Sequence, residues 1–128
     1  MKRNFLMATS DRDRFSLLGD VLSASADATI FWADTGKSAL DEAARLSPLL
    51  VVMDEALPDM TGLDLARELL KANALINTAL VSRLSPEDFH ETSEGLGVLV
   101  QLPPHPGEKE AQEIISGLRS IFALPPHE

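Results

Sequence analysis

The sequence predicts an α/β fold, a doubly wound five-stranded parallel sheet with helices on both faces. Two observations predict it. Four apolar runs, Phe5-Leu6-Met7-Ala8, Leu49-Leu50-Val51-Val52-Met53, Ala79-Leu80-Val81 and Val98-Leu99-Val100, are too short for helices and do not alternate with polar residues, so they read as strands buried on both faces. Between the runs lie helical patterns. Strand and helix thus alternate about five times, which requires crossover connections and lays the strands parallel.

Each element has its own signal. After the first run, Phe15, Leu18 and Leu22 recur at spacings of three and four, the stripe of a helix packed on a sheet. Ser10 is expected to cap that helix, with Asp13 at the third helical position. Thr29-Ile30-Phe31-Trp32 supplies the remaining strand, at an edge of the sheet, with Trp32 core or semi-buried. The longest run, Leu49 to Met53, is the central strand. Thr61 with Asp64, and Ser85 with Pro86 and Asp88, carry the start signals of two further helices. Gly95 is a C-cap candidate. From Glu108 to Phe122, Ala111, Ile114, Ile115 and Leu118 share one stripe. The final Ala123-Leu124-Pro125-Pro126-His127-Glu128 cannot continue a helix and is expected to be a tail or linker, leaving one domain over residues 1–122 and a tail over 123–128.

Composition narrows the function classes. At 128 residues with 45% hydrophobic and 24% charged, the chain has room for one core and enough apolar surface to order it. A net charge of -9 opposes binding to a polyphosphate, so nucleic acid is excluded as a direct ligand. There is no Cys, which removes disulfides and thiolate chemistry. The apolar run behind Met1-Lys2-Arg3-Asn4 is too short for a secretory segment, and no stretch approaches the ~20 apolar residues of a membrane span. A cytoplasmic setting without membrane contact is expected. His90, His105 and His127 are scattered and expected at solvated surface; no nucleophile elbow, Walker loop or glycine-rich dinucleotide motif is present.

In a doubly wound sheet, ligands gather at the carboxyl ends of the strands. Here those ends hold Thr9-Ser10-Asp11, Asp54, Ser82 and Leu102. Asp54 directly ends a buried run, where a carboxylate costs desolvation energy unless something compensates it. The bland reading is that it caps a turn or the helix near Thr61.

Pro48, Asp54, Pro58 and Gly62 together resemble the phosphorylation motif of response-regulator receiver domains, and the resemblance extends from Phe5 to about Phe122. It implies a flavodoxin-like (βα)5 receiver fold and a place in two-component phosphorelay signalling. By that resemblance Asp54 is the phosphoacceptor, taking its group from a histidine kinase as an acyl phosphate, and Ser82 is the switch hydroxyl. Mg²⁺ would be held by Asp54 and the backbone carbonyl of Ala56. The family's acidic pair falls on Thr9 and Ser10, which carry no charge, so Asp11 is the nearest substitute ligand.

Leu102 stands at the family's lysine position, and losing a cation beside developing phosphoryl charge costs on the order of 3 kcal/mol, by comparison with removal of one oxyanion donor. Leu99 stands where an aromatic switch residue is expected. Pro103 is retained, and a cis Leu102–Pro103 bond is expected.

These residues lead to a receiver with weak or absent Mg²⁺ binding and weak or absent phosphorylation, not an enzyme in its own right. The alternative is a pseudo-receiver acting as a phosphorylation-independent interaction module. An independent enzyme on the same fold has only fold analogy behind it. The partner would be a histidine kinase or downstream signalling protein at the face of the fourth helix, fifth strand and fifth helix, where His90, Glu91 and Glu94 are candidates. A homodimer is compatible with the sequence.

Overall fold

The structure, a computed structural model, describes residues 3–122; the expected tail, 123–128, lies outside the described residues. In chain order the elements are β1 (Arg3–Ala8), α1 (Arg12–Ala26), β2 (Ala28–Ala33), α2 (Gly36–Leu46), β3 (Leu50–Met53), α3 (Gly62–Ala72), β4 (Asn77–Val81), α4 (Pro86–Thr92), β5 (Val98–Leu102) and α5 (Glu108–Phe122). All pairings are parallel, in the order β2-β1-β3-β4-β5. The chain therefore winds outward from β1 to β2, then back across to β3, and the strand order reverses between β1 and β3. That reversal opens the crevice in which Asp54 lies.

The uninterrupted apolar runs have the expected cause: each strand feeds two cores. Phe5, Met7, Leu50, Val52, Ala79 and Val81 pack on one face with Phe15, Leu18 and Leu22 of α1 and Ala111, Ile114, Ile115 and Leu118 of α5. Leu6, Ala8, Val51, Met53 and Leu80 pack on the other with Ala39, Ala43, Leu65, Leu69 and Phe89. Since neighbouring residues point to opposite faces, a strand covered on both sides carries apolar residues at successive positions. β2 is an edge strand, and its Trp32 is half-buried with the Arg12 guanidinium over its ring at 5.4 Å.

Helix starts at Thr61 and Ser85 are as expected: their hydroxyls accept from the backbone N–H groups of Asp64 (3.1 Å) and Asp88 (3.1 Å). Gly95 carries φ +83°, but the residue capping α4 is Ser93, two positions earlier. Ser10 does not cap α1. The cap position falls on Asp11, which makes no side-chain capping bond, and Ser10 is exposed. The reason is competition: the Thr9 hydroxyl accepts the Asp11 N–H (3.0 Å), while the Asp11 carboxylate lies 3.5 Å from Arg14 Nε.

The Leu102–Pro103 bond is also not cis, since no cis peptide occurs among the described residues. Leu102 stays in strand register opposite Val81, with its carbonyl accepting from Ser82 N at 3.1 Å.

The β3–α3 connection is held tightly where it leaves the sheet. Gly62 N donates to Glu55 O at 2.9 Å, and a Cβ on Gly62 would strike the Asp54 carbonyl oxygen and Leu80 Cδ1. We expect Gly62→Ala to cost about 1–3 kcal/mol, the range for overpacking against a backbone that cannot move aside. Urea unfolding would show a lowered midpoint with an unchanged slope. An unaltered midpoint would mean that α3 does not start hard against Asp54, the residue that follows β3.

Candidate functional site

Asp54 follows β3 directly and is 4% exposed. Its backbone N–H donates to Ala8 O at 2.9 Å, which ties it to the end of β1. Both carboxylate oxygens are engaged. Oδ1 accepts from Glu55 N at 2.8 Å. Oδ2 accepts from the Thr9 hydroxyl at 2.7 Å and is in direct contact with Arg14 Nη2. A buried carboxylate keeps its charge only when paired and hydrogen-bonded, and here both conditions are met by groups of the chain itself.

Arg14 does more than neutralise Asp54. Its Nη1 donates to Pro104 O at 2.7 Å, and its Nε lies 3.5 Å from Asp11 Oδ2. One planar fork thus joins the end of β3, the start of α1 and the β5–α5 connection, a geometry suited to guanidinium and not to an ammonium. Arg14 reaches inward because it lies beside the stripe Phe15, Leu18 and Leu22 on α1, four residues before Leu18.

The other expected site residues are placed as follows. Thr9 is 1% exposed and bonded to Asp54, whereas Ser10 is exposed on the rim. Asp11 and Ala56 line the same cleft as Asp54, a space of about 310 Å³, with Asp11 turned to Arg14 and Ala56 exposed. Ser82 is half-buried at the end of β4, its Oγ accepting from Leu84 N at 3.2 Å. Leu102 is wholly buried in the core beneath α1 and α5, so no cation projects from that position. Leu99 is half-buried and packs against that same core, beside Gly117. His90 and His105 are exposed; His127 lies outside the described residues.

Four residues that the sequence did not single out hold this end of the sheet together. Arg14 is the first. The Glu55 carboxylate accepts from Arg83 N at 2.9 Å and lies 3.7 Å from Arg83 Nη1. Gln101 on β5 donates through Nε2 to Ser82 O and Leu84 O. Asp59 accepts from Gly36 N (2.7 Å) and Lys37 N (3.0 Å), capping α2 from the β3–α3 connection. The only signal available for Arg14 was a basic residue beside an apolar helical stripe just after a strand end; the other three have partners 17 to 28 residues away along the chain.

The cleft also offers a direct test for a divalent cation. Three carboxylates, those of Asp11, Asp54 and Glu55, share it with the guanidinium groups of Arg14 and Arg83, and each carboxylate faces one of them. Among the described residues no group of three or more His, Asp or Glu is placed to hold a metal ion. Mg²⁺ requires free oxygen donors in near-octahedral array. The donor set does not fit it.

Comparison with known proteins agrees on the fold. No family model matches the chain. Over 82 residues, 63% of the chain, it is 30% identical to a protein-glutamate methylesterase/protein-glutamine glutaminase of Treponema denticola, of whose length it spans 22%. Among solved structures it is similar to the response regulator domain of Thermotoga maritima CheB (TM-score 0.77, 20% identity, 98% of this chain and 100% of that one). It is similar also to the receiver domain of NarL from Mycobacterium tuberculosis (TM-score 0.78, 17%, 93% and 97%) and to CheY4 of Vibrio cholerae (TM-score 0.76, 13%, 95% and 100%). The fold is the flavodoxin-like receiver fold of two-component response regulators.

The Asp59 cap yields a pH dependence. Its bonds from Gly36 N and Lys37 N hold the Asp59 carboxyl below the ordinary value of 3.8. A carboxylate whose folded pKa is depressed stabilises the fold above its unfolded value, and this is lost as pH falls through the folded pKa. We therefore expect thermal stability to decline in acid below 3.8, and Asp59→Asn to make that decline shallower. Melting curves across the acid range would check it; parallel declines in both proteins would remove Asp59 from the account.

Proposed function

We propose that this chain is a pseudo-receiver: a signalling module that keeps the receiver fold as a protein-interaction domain while Arg14 occupies the charge site that a phosphorylation cycle would need. The observation that carries the reading is the shared engagement of Asp54 Oδ2 by Arg14 and Thr9. To attack a phosphoryl donor, Asp54 would need a free oxygen and a cation able to bridge to the incoming phosphoryl oxygens. Its free oxygen is taken, and the cation beside it is already committed to Pro104 O and Asp11. Leu102 supplies no second cation.

The proposed partner is a histidine kinase or downstream signalling protein meeting the α4–β5–α5 face, in the cytoplasm. Among the described residues no helix is long and apolar enough to cross a membrane. Glu87, Asp88, Glu91 and Glu94 on and just after α4 are exposed and, among the described residues, have no basic partner within ion-pair distance, unlike the acids of α2 and α3. Unpaired surface charge of one sign steers association with a partner of the other. The curated relative's name describes an enzyme, but the chain spans 22% of that protein, and no hydrolytic activity is assigned to it.

The competing reading is a weak phosphoacceptor, with Asp54 as nucleophile and Ser82 as switch hydroxyl. The place of Asp54 at the carboxyl end of the central strand favours it. Treatment with acetyl phosphate and Mg²⁺, followed by intact mass, separates the two. The pseudo-receiver reading predicts no phosphoryl adduct on the wild type, and none on Thr9→Asp/Ser10→Asp/Leu102→Lys, because Arg14 still covers Asp54. Adding Arg14→Ala to those three changes should admit the adduct, and Asp54→Asn should remove it again. A wild type that gains one phosphoryl group at Asp54 would overturn the proposal.

A further inference from the structure

We propose that Glu55 and Gln101 form a bracket that presets the β4–α4 connection, and with it the start of α4, independently of any event at Asp54. Ser82, Arg83 and Leu84 make up most of this connection, and Arg83 and Leu84 are exposed. An exposed connection ordinarily leaves its backbone groups to water. Here five of the six in residues 82–84 are taken by the protein. Ser82 N donates to Leu102 O at 3.1 Å, Arg83 N to Glu55 Oε2 at 2.9 Å, and Leu84 N to the Ser82 hydroxyl at 3.2 Å. The two hydrogens of Gln101 Nε2 reach two of the connection's carbonyls, Ser82 O at 3.2 Å and Leu84 O at 2.9 Å. A primary amide has two such donors, so this arrangement satisfies it fully.

The position of α4 depends on this bracket because the helix has little else to hold it. It is seven residues long, and Phe89 is its only buried side chain. Its N-cap, Ser85, directly follows Leu84, so the connection sets the point and angle from which the helix starts. Beside the bracket, the Ser82 hydroxyl oxygen accepts from Leu84 N, a further bond within the same connection. Glu55 reaches the connection from the residue after Asp54, and Gln101 from β5, so three neighbouring strand ends converge on three residues. Arg14 makes no hydrogen bond or ion pair with either bracket residue, and the bond from Glu55 N to Asp54 Oδ1 is one that an asparagine oxygen can also accept, so the inference stands whether or not the pseudo-receiver reading holds.

Hydrogen exchange resolved by mass spectrometry tests it on the full chain, comparing wild type with Gln101→Ala, Gln101→Glu, Glu55→Ala/Gln101→Ala and Asp54→Asn. Gln101→Glu keeps the shape of the side chain but aims acceptors at two carbonyls. We expect exchange across residues 83–89 to rise about tenfold or more in the Gln101 variants and further in the double variant, since one net hydrogen bond is worth about that factor. Protection of α3 and α5 should be retained. In Asp54→Asn the 83–89 segment should exchange at the wild-type rate. Wild-type rates in Gln101→Glu, or opening of residues 83–89 only together with α3 and α5, would overturn the proposal. Should the double variant fail to fold, Gln101→Glu alone decides the matter.

Discussion

A carboxylate buried at the end of a sheet must be neutralised, and the upper end of this molecule is arranged around that requirement. Asp54 follows a strand whose residues are buried on both faces, so water cannot reach it in quantity. An unpaired charge in such a place costs several kcal/mol. The chain supplies the compensating cation from within, by turning Arg14 inward from the first turns of α1. That decision fixes other features. The Thr9 hydroxyl is directed to the same oxygen, Asp11 turns to the guanidinium instead of capping α1, and the β5–α5 connection is drawn in through Pro104 O.

The rest of the same end is closed by polar side chains acting across elements. Asp59 fastens the β3–α3 connection to α2, and Met60 packs where a side chain on Gly36 would have to lie. Glu55 and Gln101 hold the β4–α4 connection. A site that must admit a metal ion and a phosphoryl group needs free oxygens and movable loops. Here both Asp54 oxygens accept hydrogen bonds, and Asp59, Glu55 and Gln101 bond across the neighbouring connections. On the proposed pseudo-receiver reading, this combination serves a surface that a partner reads in one conformation.

The fold was legible in the sequence because burial on both faces leaves an unmistakable trace: Phe5–Ala8, Ala79–Val81 and Val98–Val100 lie in strands, the Leu49–Met53 run does so from Leu50 on, and the stripes on α1 and α5 face the core as their spacing requires. α2 left a weaker trace, since the residues it buries outright are Gly36, Ala39 and Ala43 and part of its capping comes from Asp59, well over one turn away in the chain. Asp54 itself was legible as a charge ending an apolar run. Its partner was not. Arg14 precedes it by 40 residues, and nothing local distinguishes an arginine that folds inward from one that stays in water. The cap assigned to Ser10 failed for a local reason: the Thr9 hydroxyl takes the Asp11 N–H, and the Asp11 carboxylate turns to Arg14 one helical turn on.

Arg14 and the buried Asp54 are joined in one ion pair at the centre of this end of the sheet. A double-mutant cycle on folding stability measures this coupling directly, using wild type, Arg14→Ala, Asp54→Asn and the double variant under urea. We expect a coupling of about 2 kcal/mol or more, with Arg14→Ala the costlier single change because it strands a buried charge. Losses that simply add, to within about 0.5 kcal/mol, would show that the two groups do not depend on each other and would contradict the account.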